Sequence, residues 1–240
     1  MPQNIEVVDY DPEWERFYKD EAQKIKRILG SNCIETCHIG STAVKGMGAE
    51  PTLDILCVVS NTALVDIQNP ALAVLGYEPV EYQQLVGQRV YRGKREQSVP
   101  DAFLTKEAQK EQEESHICNL YMFNRTNKRD INRFLVVRDY LRGHQSEADE
   151  FVAIKRRLAQ QYEDDIEGYI AAKEPYLDQI EQSALEWQRQ QDRLMSYMAI
   201  GMCVGTAVGA VCGTLLDHTG VGLSYGVSFG MLAGLTIAML

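Results

Sequence analysis

The C-terminal part of the chain lacks basic residues altogether. Residues 195–240 contain no lysine or arginine, and Asp217 is their single acidic residue. Two apolar segments, 195–216 and 221–240, lie on either side of a short polar turn. Each has close to the roughly 20 residues that a helix needs to cross the hydrocarbon core of a bilayer. The sequence therefore predicts a soluble domain over 1–194, followed by a two-helix transmembrane hairpin.

Glycine recurs at every fourth position in both apolar segments. This spacing places the glycines on one face of each helix, where two backbones can approach closely. The two glycine faces predict tight helix pairing, either within the hairpin or between chains. Pairing between chains would form a homo-oligomer through the glycine faces. A soluble glycine-rich hairpin is the alternative, but water would penalise each helical glycine by roughly 1 kcal/mol. The two series are Gly201, Gly205, Gly209, Gly213 and Gly222, Gly226, Gly230, Gly234.

Positive charge is scarce next to the hairpin as well. Arg189 and Arg193 precede the first apolar segment, and such flanking charges prefer the cytoplasmic side of a membrane. The N-terminal residues show no basic start followed by an apolar run, so no signal peptide is expected. We therefore expect a multi-pass hairpin in contact with the lipid of the cell membrane, with the 1–194 domain in the cytoplasm.

Acidic residues outnumber basic ones over the whole chain. There are 34 Asp and Glu against 24 Lys and Arg, which gives a net charge of −10. Bulk nucleic-acid binding needs many Lys and Arg contacts to phosphate, so we exclude it, although a local basic pocket is compatible with this balance. A hydrophobic content of 45% is enough for a sizeable core.

No two cysteines have the C-x-x-C spacing of redox and zinc motifs. Cys33 and Cys37 lie on one predicted strand, where four residues separate two side chains by roughly 13 Å. A shared zinc ion is thereby excluded, because Zn–S bonds measure about 2.3 Å. In a reducing cytosol all six cysteines are expected to be free thiols; they are Cys33, Cys37, Cys57, Cys118, Cys203 and Cys212.

Apolar periodicity predicts strands over the first part of the chain and helices over the second, an order that indicates a mixed sheet covered by helices. Predicted strands are Ile5–Asp9, Cys33–Ile39, Thr52–Val59, Tyr77–Val80, Gln88–Arg92 and His116–Phe123. The first predicted helix runs from Asp11-Pro12 to Gly30, and the second covers 64–75 with a cut at Pro70. Three further helices are predicted over 128–143, 146–162 and 165–194. The last of these contains Pro175, which is expected to kink or divide it. The charged segment 93–115 is predicted to be a long connection or a helix over 102–114, and its role is either that of a solvated surface loop or that of a lid over a pocket.

The segment from His38 to Ser60 carries the most chemical information. A Gly40-Ser41 pair ends one apolar run, and Asp54 then lies inside a run of β-branched and aliphatic residues. A Gly-Ser turn can bring backbone N–H groups close to a phosphate, and a neighbouring strand can present a carboxylate to a metal ion. This pattern suits the handling of a nucleotide triphosphate.

Several stretches of the chain together resemble the GrpB family, a small cytosolic group with a nucleotidyltransferase-like fold. They are I-E-V-V-D-Y-D-P-E-W, H-I-G-S-T-A-V-K-G, P-T-L-D-I-L, the strand at His116, R-D-Y-L-R and Y-I-A-A-K-E-P-Y. The resemblance covers roughly residues 5–182, and the stretch from His38 is its most specific part. It implies an α+β fold, a nucleotidyltransferase-like mixed sheet with flanking helices, here followed by the transmembrane hairpin. It implies an activity only by analogy.

The chain departs from the nucleotidyltransferase pattern at one position of chemical importance. In those enzymes a Gly-Ser turn is usually followed by two acids, two residues apart on one strand, which together hold two metal ions. Here Leu56 takes the place of the second acid after Asp54, and a hydrophobic side chain cannot ligate magnesium. Glu50 and Cys118 also stand where the family often has Lys and His, which changes the ligand charge or metal binding.

Candidate site residues follow from this pattern together with the resemblance. Asp54 is the predicted catalytic residue and Mg2+ ligand, with a structural ion pair as the alternative. The predicted phosphate and substrate ligands are Gly40, Ser41, Thr42, His38, His116, Lys173 and Arg138. The alternatives are an ordinary turn at Gly40-Ser41 and a structural role for His38. Arg138 with Arg142, and Lys155 with Arg156, are positioned on helices where they contact either anionic substrate oxygens or surface ion-pair partners, and surface pairing is favoured.

Three functions remain open at this point. The first is a membrane-anchored protein that binds a nucleotide or phosphorylated metabolite and acts as a Mg2+-dependent nucleotidyl- or phosphoryl-transferase. The second is a noncatalytic module of the same fold that senses a ligand or recruits a partner at the inner membrane face, which the loss of the second acid favours. The third is an oligomerising membrane hairpin that the soluble domain regulates.

Overall fold

A mixed five-stranded sheet is the centre of the molecule. The computed structural model describes residues 5–80, 87–94 and 117–239. In these residues the strands are β1 (Cys33–Ile39), β2 (Thr52–Val59), β3 (Tyr77–Pro79), β4 (Gln88–Lys94) and β5 (Ile117–Asn124). Their spatial order is β1-β2-β5-β4-β3. The pair β2 and β5 is parallel, and the other neighbours are antiparallel.

Helices surround this sheet and also form the C-terminal part of the chain. In the described residues they are α1 (Glu13–Leu29), α2 (Thr62–Ile67), α3 (Asn69–Val74), α4 (Lys128–Gly143), α5 (Gln145–Gln161), α6 (Ile166–Leu215) and α7 (Thr219–Ala238). The first of them has clear start and stop signals, because the Asp11 carboxylate accepts a hydrogen bond from the Glu13 N–H (2.9 Å) and Gly30 ends it at φ 54°.

The two faces of the sheet bury different sets of side chains. One face, called the α1 face here, packs α1, α2 and α3 against the alternate β2 residues Leu53, Ile55, Cys57 and Val59. The opposite face, called the Asp54 face, packs Phe134 and its neighbours on α4 against Leu56 and Phe123. Period-two alternation along β2 separates the two sets, so Asp54 and Leu56 share one face.

Most of the predicted elements are confirmed, and the differences have physical causes. The predicted strand Ile5–Asp9 is wrong: Val8 makes a single bridge with Ala49, because no continuous strand edge lies beside it. The predicted helix over 64–75 is two short helices that meet at Gln68 and Asn69, next to Pro70. The strand predicted to begin at His116 begins at Ile117 among the described residues.

Pro175 does not divide the last predicted soluble helix. The segments 165–194 and 195–216 form one helix, α6, with Pro175 in its interior. Its neighbours Ala172 and Tyr176 pack on the buried cluster of Leu158 and Tyr169. This packing holds the adjacent turns together, and thus the local loss of one hydrogen bond does not end the helix.

The chain divides into two compact units, Met1–Glu181 and Gln182–Leu240. Composition predicts a change of character later, at 194/195, within the same helix. The helix α6, whose C-terminal part lies in the second unit, and α7 are each long and apolar enough to cross a membrane.

The glycine faces of this second unit pack against one another. A Cβ placed on Gly201, Gly205 or Gly209 would overlap the backbone carbonyl of Gly230, Gly226 or Gly222, respectively. The backbones of the two helices thus approach closely at these glycines within one chain.

Candidate functional site

The candidate site is built around the turn that joins β1 to the rest of the sheet. Gly40 follows β1 with φ 72°, and Ser41–Ala43 form one 3-10 turn closed by a hydrogen bond from the Ala43 N–H to the Gly40 carbonyl (3.2 Å). A left-handed φ is readily available only to glycine. Since Ile39 lies opposite Asp54 in the antiparallel pair, the turn begins directly beside Asp54.

Asp54 faces this turn. A Cβ on Gly40 would collide with its Oδ2, so the carboxylate rests directly on the glycine backbone. Its Oδ1 accepts a hydrogen bond from Asn119 Nδ2 (2.9 Å), which β5 brings alongside because Asp54 and Asn119 are paired in the parallel register. Burial raises the pKa of the Asp54 carboxyl to about 6, and the neutral amide of Asn119 offsets only part of this rise.

A polar row continues across the Asp54 face from this carboxylate. Asn119 pairs with Arg92 in the antiparallel β4–β5 register, and Arg92 Nε donates to Asn119 Oδ1 (3.4 Å). Asp54, Asn119 and Arg92 thus lie on three adjacent strands. Further along the same face the residues become apolar, with Leu56 fully buried beneath α4.

Two lysines converge on Glu50, just before β2. Lys155 Nζ on α5 donates to Glu50 Oε2 (3.0 Å), and Lys173 Nζ on α6 donates to Oε1 (2.6 Å). The Tyr169 hydroxyl also donates to Oε1, and its ring lies below the Lys173 ammonium, 4.7 Å from ring centroid to Nζ. Burial alone would raise the pKa of Glu50, but the two ammonium groups hold it well below its ordinary value.

Lys155 connects this ion cluster to the turn. Its side chain is 1% exposed, and besides Glu50 its ammonium donates to Ser41 Oγ (3.2 Å) and to the Gly48 carbonyl (3.1 Å). Burial lowers the pKa of Lys155, while Glu50 acts in the opposite direction. Because all three N–H donors have acceptors, the lysine is held as a cation, and Ser41 Oγ keeps its own proton for another acceptor.

The side chains of His38, just before the turn, and of Thr42, within it, are directed away from Asp54. His38 is paired with Ile55, hence its side chain lies on the α1 face, opposite to Asp54. There it stacks on Tyr18 (ring centroids 4.8 Å apart), and its Nε2 lies 3.0 Å from Thr42 Oγ1. Burial lowers the pKa of His38 to about 4, which keeps the ring neutral at pH 7. The structure therefore does not bring the His38 ring into the group around Asp54.

Two arginines of α4 support the backbone at both ends of the turn. Arg138 Nη1 donates to the His38 carbonyl (3.2 Å), and its Nε pairs with Asp139 (2.8 Å). Arg142 donates twice to the Ala43 carbonyl, from Nε (3.0 Å) and Nη2 (2.7 Å). The contacts described for Arg138 are thus to protein groups, which give it a supporting position beside the predicted phosphate site.

The residues predicted from the sequence are brought together only in part. Asp54, Gly40, Ser41 and Lys173 belong to one connected group through Glu50 and Lys155, whereas His116 lies outside the described residues. Among the described residues no three His, Cys, Asp or Glu side chains gather in a way that would hold a metal ion. Asp54 offers one carboxylate, and the nearby Glu50 is already bound by two lysines. The described side chains therefore do not fit a two-metal centre, and fit a single ion only if a ligand supplies further oxygens.

Three contributors were not found from the sequence. Lys155 was interpreted as a surface residue, although its place between Phe151 and Leu158 on an apolar stripe is a sign of burial. Asn119 is not grouped with His116 from the sequence, because three residues along a strand place the two side chains on opposite faces; the parallel pairing of β2 and β5 brings it beside Asp54 instead. Glu50 was recognised as unusual for the family but not as the partner of two lysines, which α5 and α6 bring from more than one hundred residues away.

Comparisons with known proteins agree on one family for the first unit. The sequence profile described as "GrpB protein" matches residues 4–183. A UPF0157 protein of Halalkalibacterium halodurans is 31% identical over 182 residues, which cover 74% of this chain and 80% of that protein. The UPF0157 protein YqkA of Bacillus subtilis is 28% identical, and the match spans 48% of its length, about half of that relative.

A solved structure shares this architecture. The crystal structure of the conserved protein GrpB from Enterococcus faecalis superposes with a TM-score of 0.64 at 29% sequence identity. The match covers 76% of this chain and 99% of that one.

Proposed function

The chain belongs to the GrpB family, and we propose that it binds a nucleotide or another phosphorylated metabolite at the Gly40-Ser41 turn. The observation that carries this proposal is the contact of Asp54 with the Gly40 backbone, beside a serine that receives a hydrogen bond from a buried lysine. This arrangement leaves the Ser41 hydroxyl proton available to an anionic oxygen, next to two fixed ammonium groups.

The charges of the site favour binding of a phosphate together with a cation. Lys155 and Lys173 contribute two positive charges, while Glu50 and ionised Asp54 contribute two negative charges. The described group is then neutral overall, which gives a free anion little net attraction. Asp54 is the residue that would hold a Mg2+ ion, and the ion would supply the missing positive charge, because magnesium in proteins is commonly held by one or two carboxylates plus substrate phosphates.

A transferase activity is the catalytic form of this proposal. When bound, the Mg2+ ion would polarise a phosphoryl oxygen. Ser41 and the backbone of the turn would orient the phosphate, and Lys173 would stabilise its negative charge. Arg138 and Arg142 would hold the turn in place during binding.

We further propose that the hairpin α6–α7 anchors the protein in the cell membrane, with the first unit in the cytoplasm. The length of the two helices and the lack of lysine and arginine from residue 195 onward support this location.

The test is a calorimetric titration of the full chain in detergent micelles with ATP, GTP, CTP and UTP, with and without Mg2+. We expect binding of at least one nucleotide that strengthens about tenfold or more with Mg2+ and loses this dependence in Asp54→Asn. Asp66→Asn is the matched control, since Asp66 lies on α2, away from the turn, and pairs with Arg89 on β4. If none of the four nucleotides and no simple phosphorylated sugar binds to the protein, the proposal is contradicted.

A noncatalytic ligand-sensing module is the second candidate, and one observation favours it. Leu56 is fully buried in the apolar cluster with Ile39 and Phe123. The strand β2 therefore offers no second carboxylate that could hold a metal ion for group transfer. Nucleotide binding without turnover, unchanged by removal of Mg2+, would support the sensor over the transferase. An absence of binding combined with oligomers that depend on the glycine faces would instead support the hairpin as the active part.

A further inference from the structure

Two thiols meet across β1 and β2 on the α1 face. Cys33 Sγ lies 3.5 Å from Cys57 Sγ, although the two residues are not directly paired in the strand register. A disulfide needs S–S of about 2.05 Å, so the sulfurs would have to approach by roughly 1.5 Å. Cys33 is the first residue of β1, and the register shifts between Cys33 and Glu35. This irregularity at the end of a strand allows such a movement more readily than a regular ladder does.

We propose that Cys33 and Cys57 form a reversible disulfide, in which Cys33 reacts first with an oxidant and Cys57 then resolves it. The different solvent exposure of the two thiols assigns these two roles. Cys33 is partly exposed and accessible to a small oxidant, whereas Cys57 is fully buried and reaches only its neighbour.

The electrostatic surroundings agree with this division. A hydrogen bond from Cys57 and the charge of Lys26 lower the pKa of Cys33 to about 7, so a large fraction of it is thiolate near neutral pH. The pKa of Cys57 is raised by its contact with Cys33 and by burial. Cys37 lies on the same strand, but burial and the nearby Glu35 carboxylate raise its pKa, which makes it a poor nucleophile.

The chemistry balances with a hydroperoxide as oxidant. The Cys33 thiolate attacks one oxygen of hydrogen peroxide, the O–O bond breaks, and hydroxide leaves as Cys33 becomes a sulfenic acid. The Cys57 sulfur then attacks the Cys33 sulfur, and the S–O bond breaks. The sulfenic oxygen leaves as water with the thiol proton, and a second proton from solvent neutralises the hydroxide. Two thiols are thereby oxidised and one peroxide is reduced to two water molecules.

The disulfide would close a loop that contains the whole candidate turn. The sequence between Cys33 and Cys57 includes Gly40, Ser41, Glu50 and Asp54. A cross-link of this kind restricts the unfolded chain and ties together the two strands that carry the turn. Oxidation is thus expected to raise the thermal stability of the first unit.

The test uses the full chain in detergent micelles, treated with hydrogen peroxide at a few equivalents and digested with trypsin. In the wild type, peptide 28–45 contains both Cys33 and Cys37, and peptide 46–89 contains only Cys57. A Cys37→Ser variant leaves one cysteine in each peptide. We expect most molecules to show 28–45 cross-linked to 46–89, with a melting temperature several degrees higher, and both changes reversed by dithiothreitol.

Two further variants identify the roles. In Cys57→Ser, we expect Cys33 to accumulate as a sulfenic acid that dimedone traps about tenfold faster than Cys37. Cys118→Ser is the matched control, because Cys118 is a buried thiol on the same face but on β5, and its loss should leave the cross-link unchanged. A wild-type chain in which 28–45 and 46–89 never become linked, or in which Cys33 is oxidised no faster than Cys37, overturns the proposal. The cross-link measurement on the wild-type chain tests the proposal even if the Cys57→Ser variant does not fold.

Discussion

Asp54 is an acid without a direct cationic partner among the described residues. Its hydrogen-bond donor is the neutral amide of Asn119, and burial raises its pKa to about 6. A carboxylate in such a place destabilises the folded chain when it is ionised, and is often found where a ligand or metal completes its surroundings.

The pH dependence of the free energy of unfolding should reveal the unfavourable burial of ionised Asp54. The folded chain holds the Asp54 proton up to about pH 6, whereas the unfolded chain releases it near its ordinary pKa of 3.8. The stabilising contribution of protonated Asp54 is therefore complete below pH 3.8 and lost as the pH rises through 6. Asp54→Asn is expected to raise the free energy of unfolding by up to about 3 kcal/mol at pH 7.5, and to leave it nearly unchanged at pH 3.5, in thermal melts of the full chain.

The control substitution for this prediction is expected to change the free energy of unfolding in the opposite direction. The pKa of Asp66 is lowered by its hydrogen bond to Arg89, so Asp66→Asn should slightly lower stability at pH 7.5. Equal effects of the two substitutions at both pH values would contradict the assignment of strain to Asp54.

Gly40 is required for two reasons that a matched pair of substitutions can separate. Gly40→Ala puts a Cβ at φ 72° and also against Asp54 Oδ2, while Gly46→Ala has φ 83° with no atom within 4 Å of the added Cβ. Strain of the left-handed backbone costs about 1–2 kcal/mol in either case. We expect Gly40→Ala to lower the free energy of unfolding by at least about 1 kcal/mol more than Gly46→Ala and to abolish nucleotide binding, as measured by thermal melts and calorimetry. Equal losses for the two variants would show that Asp54 does not rest on the turn.

At this scale local motifs singled out Gly40, Ser41 and Asp54, because a glycine in a turn and an acid in an apolar strand are exceptions to their local pattern. The distant Lys173 was predicted only through the resemblance to the GrpB family. Lys155 was missed because its partner Glu50 is far away in the sequence, and only helix packing brings the two together.

The elements that hold the turn are β1, β2 and α4. The arginines of α4 donate to carbonyl groups at both ends of the turn, from Arg138 to His38 and from Arg142 to Ala43. The helix thus acts as a support for a short backbone segment whose own hydrogen bonds are few.

Loss of this support should appear as local opening rather than global unfolding. Arg142→Gln removes the paired donation to the Ala43 carbonyl, so we expect faster amide exchange over residues 40–48 and roughly tenfold weaker nucleotide binding. Hydrogen exchange followed by mass spectrometry measures the first effect and calorimetry the second. Arg133→Gln is the control on the same helix, because Arg133 pairs with Glu181 instead of the turn. Unchanged exchange over 40–48 in Arg142→Gln would show that the helix does not support the turn.

Element boundaries were predictable where the apolar period was clear. The bounds of Thr52–Val59 and Lys128–Gly143 match the structure, since burial of one or both faces fixes the pattern of each. Ile5–Asp9 has the same alternation but only one bridge to a neighbour. A strand depends on the hydrogen bonds of an adjacent strand, which its own sequence does not specify.

At the scale of the whole molecule, the second unit carries the proposed membrane anchor. The glycine faces of its two apolar helices pack against each other within one chain. Many large apolar side chains on these helices are exposed, among them Val208, Phe229 and Leu232, and in water such a surface would promote aggregation.

We expect the full chain to sediment with the membrane fraction and to resist extraction by alkaline carbonate, whereas a chain ending at residue 194 should be soluble. In a variant without native cysteines, Asp217→Cys should react with a membrane-impermeant maleimide added to intact cells, since the turn is predicted to lie outside. Ser183→Cys serves as the cytoplasmic control and should react only after lysis. Recovery of the full chain in the soluble fraction would contradict the membrane anchor.

The sequence by itself determined the family, the alternation of strands and helices, the apolar hairpin with its glycine spacing, and the Gly-Ser turn followed by an acid. These features are local, because each depends on residue types within a few turns or one strand. Tertiary structure alone decided that Asn119 binds Asp54, that Lys155 and Lys173 share Glu50, that His38 lies on the opposite face, and that Cys33 approaches Cys57. The register between strands and the packing of distant helices set these contacts, and both depend on the burial of the whole core rather than on any short segment.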